Sequence, residues 1–240
     1  MKQKKERIGF LDDTRGLLVI LMVFYHAFYT GGSLFGWRFC QQLYYFFMPS
    51  EEWFAGLFIL ICGICCHLSH NNVKRGLLLA GISILLSLVL WIFMPDNMIW
   101  FGILHFLSIA ILLFALLSKP LSYIPPLWGL IGCALLGFLT WHLPFDCGYY
   151  IGIPHLLEIP IPRELLYQPW LFPLGLGFAD SADYFPLFPW IFVFLFGTFL
   201  GRYVKEEKYP AFMKKSYCKP LSIIGQWALP IYVIHQPILF

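Results

Sequence analysis

Residues 7–30 read RIGFLDDTRGLLVILMVFYHAFYT. The stretch opens polar, with Asp12, Asp13 and Arg15 in one turn, and then continues from Leu17 to Phe28 as an apolar helix interrupted only by Tyr25 and His26. An ionisable side chain inside an apolar span costs several kcal/mol, so such a group is paired, lines a wet cavity, or works. His26 is therefore the first functional candidate. Arg15 precedes it by eleven residues, about 16 Å along a helix axis at about 1.5 Å per residue. One helix thus carries a cation near one membrane face and an imidazole near the middle or far half of the bilayer.

The rest of the chain has the composition such a helix needs around it. Of 240 residues, 60% are hydrophobic, 20% aromatic and only 12% charged, and the mean hydropathy is +0.74. That leaves too little polar surface for a soluble domain of this length, so an all-α, polytopic transmembrane bundle is expected, as a single domain over residues 1–240. The basic start MKQKKER resembles a secretory leader, but no small-residue cleavage site follows it, and a retained first helix is expected.

Apolar segments of spanning length occur at about 14–30, 52–69, 76–94, 99–117, 125–141, 186–203 and 220–239. Cytoplasmic loops collect Lys and Arg, which sets orientation. With the N-terminus inside, fourteen of the sixteen Lys and Arg residues fall on the cytoplasmic side, and only Arg38 and Arg163 fall outside. Seven helices then put the C-terminus outside. An integral protein of a bacterial inner (plasma) membrane is the expected location. The cations face a lipid surface, so nucleic acid is not needed as a partner.

The connection 142–185 is too long to be an ordinary loop. Trp141, Tyr149, Tyr150, Tyr167, Trp170 and Phe172 alternate there with prolines, which suggests a stiff, packed external lid. Its aromatics serve either as an interfacial belt or as flat faces for a sugar ring. The seven cysteines do not form a disulfide framework: Cys62, Cys65, Cys66 and Cys133 lie in apolar segments as small core residues. Cys40 and Cys147 are both external, which permits a bridge without requiring one.

Further polar groups lie in or near the membrane. His67 and His70 end the second segment beside Asn71 and Lys74 at a solvated helix end. His105 falls about one turn into the fourth segment. It either faces the same cavity as His26 or makes an interhelical hydrogen bond. His235 and Gln236, ahead of Pro237, are external by topology. No helix carries a histidine pair at i and i+4, so no metal site is expected.

Arg15, ten residues, then His26 resembles the first-helix signature of the transmembrane acyltransferase superfamily. RIGFLDDTRGLLVILMVFYH resembles in particular its heparan-α-glucosaminide N-acetyltransferase catalytic branch. Phe54 to Gly63, FGILHFLSIA from Phe101, DYFPLFPWIFVFLFGTFLGR from Asp183 and IYVIHQP from Ile231 continue the resemblance almost end to end. The chain is compact for the superfamily and stops three residues after Pro237. Either one chain or a homo-oligomer then completes the cavity.

The resemblance implies transfer of an acetyl (acyl) group from cytosolic acyl-CoA to the amino group of a glucosamine-type sugar outside, or to glycan hydroxyls in the sister branch. A thioester is already activated, so the enzyme needs a base for the attacking amine or hydroxyl, and imidazole suits that task near neutral pH. His26 is the expected base, or else a transient acetyl carrier. Arg15, oriented by Asp12 at i−3, with Lys74 and Arg75, is expected to hold acetyl-CoA. His105, Asp183, His235 and Gln236 are expected around the sugar acceptor. A different class, a carrier moving a solute or proton along His26, His105 and His235, would call for inverted repeats, which the sequence does not display.

Overall fold

A computed structural model describes residues 7–144, 150–166, 168–176, 181 and 183–239. Among these residues there are ten α-helices and one hairpin. The helices are α1 (Gly9–Ser33), α2 (Arg38–Phe47), α3 (Glu51–Cys66), α4 (Asn72–Phe93), α5 (Ile103–Ser122), α6 (Pro126–Leu139), α7 (Arg163–Leu166), α8 (Leu187–Lys205), α9 (Lys219–Gln226) and α10 (Ala228–Leu239). The protein is an all-α bundle of membrane type. Among the described residues, five stretches are long and apolar enough to cross a bilayer: α1, the run Arg38–Cys66, α4, α5 and α8.

Each of the seven apolar segments is helical, with two differences in detail. Helix α6 has 14 residues, about 21 Å at about 1.5 Å per residue, which is short for a hydrocarbon core of about 30 Å. The last segment is two helices rather than one, broken at Trp227. Pro230 has no N–H for the carbonyl of Gln226 and its ring crowds that carbonyl, so the helix cannot run straight through. Helix α2 was not anticipated. It is amphipathic and too short to span, and it leaves Phe39, Tyr45 and Phe46 exposed.

The chain divides into two compact units. Unit 1 comprises residues 1–61 and 207–240, and so holds α1, α2, the first part of α3, α9 and α10. Helices embedded in lipid gain little from the hydrophobic effect when they meet, so close backbone approach and polar bonds decide their pairing. Helix α1 meets α9 in this way. A Cβ on Gly16 would run into the carbonyl oxygen of Leu221, and one on Gly225 into that of Asp12. Gly225→Val should therefore push α9 off α1 and cost about 1–3 kcal/mol. Thermal unfolding in detergent checks this, and a melting temperature equal to the wild type's would show that the helices can part without loss.

Asp13 makes the second tie between α1 and α9. Its Oδ1 accepts from Ser216 Oγ at 2.7 Å, and its Oδ2 accepts from the backbone N–H groups of Tyr217 at 2.6 Å and Cys218 at 3.2 Å. Helix α9 has no capping side chain of its own. Asp13 supplies from α1 the anion that a helix N-terminus favours. Phe10 and Phe212 pack edge to face beside it, 5.6 Å apart.

Unit 2 comprises residues 62–206. Helix α4 starts at the N-cap Asn71, whose side chain accepts from the Lys74 N–H, and pairs with α5. Helix α8 packs on α6, with Trp141 against Trp190 at 5.5 Å. Arg202, in the last turn of α8, donates to the carbonyl of Ile124 at 2.5 Å and to that of Ser122 at 3.4 Å. A cation thereby satisfies carbonyls freed at the end of α5. The connection 142–185 is more regular than its composition suggests. It holds the antiparallel hairpin of β1 (Tyr150–Ile153) and β2 (Leu157–Pro160), the single turn α7, and a 3₁₀ segment Pro169–Leu174.

Candidate active site

The apolar run of α1 carries His26 into unit 1, where α10 brings His235 to meet it. Their ring centres lie 5.0 Å apart. His235 is 5% exposed. Its Nδ1 lies 2.6 Å from the carbonyl oxygen of Tyr232, one turn back on α10. A carbonyl can only accept, so Nδ1 carries the hydrogen, and the neutral ring keeps its lone pair on Nε2. Among the described residues Nε2 has no hydrogen-bond partner.

Phenols surround this pair. Tyr25 lies 5.6 Å from His26 ring to ring, and Tyr232 5.3 Å from His235. The Tyr25 hydroxyl donates to Glu51 Oε2 at 2.6 Å, tying α1 to the start of α3. Tyr44 on α2 packs 5.2 Å from Tyr25 and 5.4 Å from Tyr29. Beyond it a cleft of about 130 Å³ opens between α1 and α2, lined by Phe28, Tyr29, Gly32, Ser33, Gln41, Tyr44 and Tyr45. Thr30, one helical turn past His26, is buried, and its hydroxyl has no partner among the described residues.

At the other end of α1, Arg15 pairs through Nη2 with Oδ1 of Asp12. The i, i+3 spacing brings the two together, and the guanidinium remains partly exposed.

In unit 2, Lys74 and Arg75 stand in the first turn of α4, Lys74 exposed and Arg75 half-buried. Lys205 and Arg202 at the end of α8 lie within electrostatic reach of His67, and Arg75 within reach of Cys66. These residues give one end of unit 2 a basic character. Another part of the unit holds His105 and Asp183. Asp183 Oδ2 accepts the N–H of Ile103, the first residue of α5, at 3.2 Å, and so caps a helix whose N-cap residue is Gly102. Phe185 N–H donates to the carbonyl of Phe101, continuing the docking. His105 Nε2 lies 3.2 Å from Ser87 Oγ, an interhelical contact between α4 and α5, while its Nδ1 has no partner among the described residues. Nearby, burial pushes the Tyr184 phenol up to about 12, so it stays protonated and donates to the carbonyl of Phe172 at 2.6 Å.

Of the residues singled out in the sequence, His26 and His235 come together in unit 1, Arg15 and Asp12 form an ion pair, and Lys74 and Arg75 share one helix start. Asp183 sits at the first residue of the helix that carries His105. The side chain of Gln236 lies outside the described residues, as does Cys147, and with it any Cys40–Cys147 pairing. Sequence reasoning passed over Asp13, Tyr25, Tyr44, Glu51 and Thr30. Tyr25 interrupts the apolar run beside His26 and carried a legible signal. Asp13, Tyr44 and Glu51 acquire their roles only from partners remote in the chain.

The family model described as "Heparan-alpha-glucosaminide N-acetyltransferase, catalytic" matches residues 7–237. A search of the curated proteins finds no match, and a search of the solved structures finds none. The match covers both the His26–His235 pair and the Arg15–Asp12 pair, and this integral membrane protein belongs to the heparan-alpha-glucosaminide N-acetyltransferase catalytic family of transmembrane acetyltransferases.

Proposed function

We propose that the protein moves an acetyl group from cytosolic acetyl-CoA to the amino group of a glucosamine-type sugar on the extracytoplasmic side, with His26 as the base. The observation that carries this reading is the layout of α1. A single spanning helix holds the Arg15–Asp12 pair at one end and, about three turns on, an imidazole packed against a second imidazole. The fourteen-to-two cationic bias supports a cytoplasmic Arg15 end.

The acetyl thioester supplies an activated carbonyl. The chain must hold its phosphates, orient the acceptor and move protons. Lys74 and Arg75 in the first turn of α4 oppose the helix dipole unless an anion lies there, which favours a phosphate at this basic end. Tyr29, Tyr44 and Tyr45 in the α1–α2 cleft offer flat rings and phenols to a pyranose. His105, Asp183, His235 and Gln236 remain the groups assigned to acceptor binding. His26 accepts the proton that the nitrogen sheds on attack and returns it to the departing sulfur.

Labelled acetyl-CoA offered to the purified protein with a panel of amino sugars and hydroxyl acceptors tests this. Transfer to hydroxyls alone would reassign the acceptor. No transfer, together with solute uptake into liposomes, would favour a carrier. Arg15→Ala should weaken acetyl-CoA binding about 10–100-fold, the worth of a charge-assisted contact of about 1.5–3 kcal/mol, and by more than it lowers stability. Unchanged binding in folded protein would return Arg15 to the role of a membrane-anchoring cation.

A further inference from the structure

We infer that His235 is a second proton acceptor of the reaction, a relay residue that takes from His26 the proton of an incoming ammonium. This rests on the acetyl-to-amine reading above. The proton count requires a second site. An amino sugar arrives largely as R–NH₃⁺, and its acetylation is R–NH₃⁺ + CH₃CO–S–CoA → R–NH–COCH₃ + HS–CoA + H⁺. One C–N bond forms and one C–S bond breaks. Two N–H bonds break and a single S–H bond forms, so one proton is left over.

A single imidazole cannot hold both protons. If His26 keeps the proton removed to free the nitrogen lone pair, it cannot accept the one shed when that nitrogen attacks. His235 has what the surplus proton needs. Its Nδ1–H is committed to the Tyr232 carbonyl, which fixes the tautomer and leaves Nε2 as an acceptor. Nε2 is buried and has no partner among the described residues. With Nε2 unpartnered, no His26 nitrogen lies at direct hydrogen-bond distance from it, and ring centres 5.0 Å apart leave room for transfer through one intervening water.

The other groups facing the pair do not compete for this task. Tyr25 on α1, Tyr44 on α2 and Tyr232 on α10 present phenols, whose O–H donates, as that of Tyr25 does to Glu51. Glu51 on α3 meets the pair through the Tyr25 hydroxyl. The cation that opens α9, Lys219, follows the Cys218 N–H held by Asp13, at the opposite end of α1. Among the described residues, His235 is the imidazole that packs against His26.

The experiment uses the full chain in liposomes, wild type and His235→Asn, with acetyl-CoA and glucosamine, and follows kcat/KM from two pH units below the amine's pKa to one above it. The asparagine amide can keep the bond to the Tyr232 carbonyl but cannot accept a proton. The variant should lose about 10²-fold while the acceptor is an ammonium and recover to within a few-fold once it is a free amine. Its profile should climb one power of ten per pH unit more steeply than the wild type's. Parallel profiles, or no loss at low pH, overturn the inference. Should the variant not fold, wild-type rates with amines of graded pKa at one pH decide instead. Rates that fall in proportion to the free-amine fraction would show that no second acceptor operates. A wild type that acetylates no amine at all would instead bring down the reading on which the inference rests.

Discussion

His26→Ala should bind acetyl-CoA as the wild type does and transfer almost nothing. General base catalysis is typically worth about 10²–10⁴-fold, which is the loss expected for the base role proposed for His26. It sits in an apolar stretch of α1, where burial is costly without a use, and packs against His235 and Tyr25. Donor binding and initial rates measured on one preparation separate the two effects. Acid quenching without acceptor adds a further distinction, since an acetyl-imidazole intermediate would leave label on the wild-type chain and none on the variant. Transfer at the wild-type rate by His26→Ala would remove it from the chemistry.

Asp13→Ala should be the most destabilising single change at the α1–α9 contact. It leaves the Ser216 hydroxyl and the Tyr217 and Cys218 N–H groups without their shared anion. These contacts are part-buried, and a hydrogen bond to a charged group is worth about 1.5–3 kcal/mol. The neighbouring Asp12 makes the control. Asp12 is buried as well, but its ion pair with the partly exposed Arg15 is local to α1, and such a pair along one helix is worth about 0.2–0.5 kcal/mol. Thermal unfolding in detergent should therefore fall far more for Asp13→Ala than for Asp12→Ala. Equal losses would mean that the three hydrogen bonds to Asp13 do not hold α9 in place.

The adjacent aspartates show how far sequence reasoning reaches. Asp12 and Arg15 are three apart on a helix, so their pairing could be written down from spacing alone. Asp13 bonds to residues more than two hundred positions away, and no local period encodes such a partner. Helix α2 fell below the sequence signal for a different reason. It is amphipathic and shorter than a span, and hydropathy in a long window registers only continuous apolar runs.

By itself the sequence determined the class and most of the helices. A chain that is 60% hydrophobic with 12% charge has only membrane solutions, and in lipid each apolar run must satisfy its own backbone as a helix. It also fixed His26 and Arg15 on one helix, because separation along a helix follows from residue number. Tertiary structure alone decided that His235 packs against His26 in unit 1, and that Asp183 caps α5 at Ile103. Those meetings depend on how the backbones of different helices approach one another, as at Gly16 and Gly225. Such approaches arise from packing between segments remote in the chain, which hydrophobic periodicity does not record.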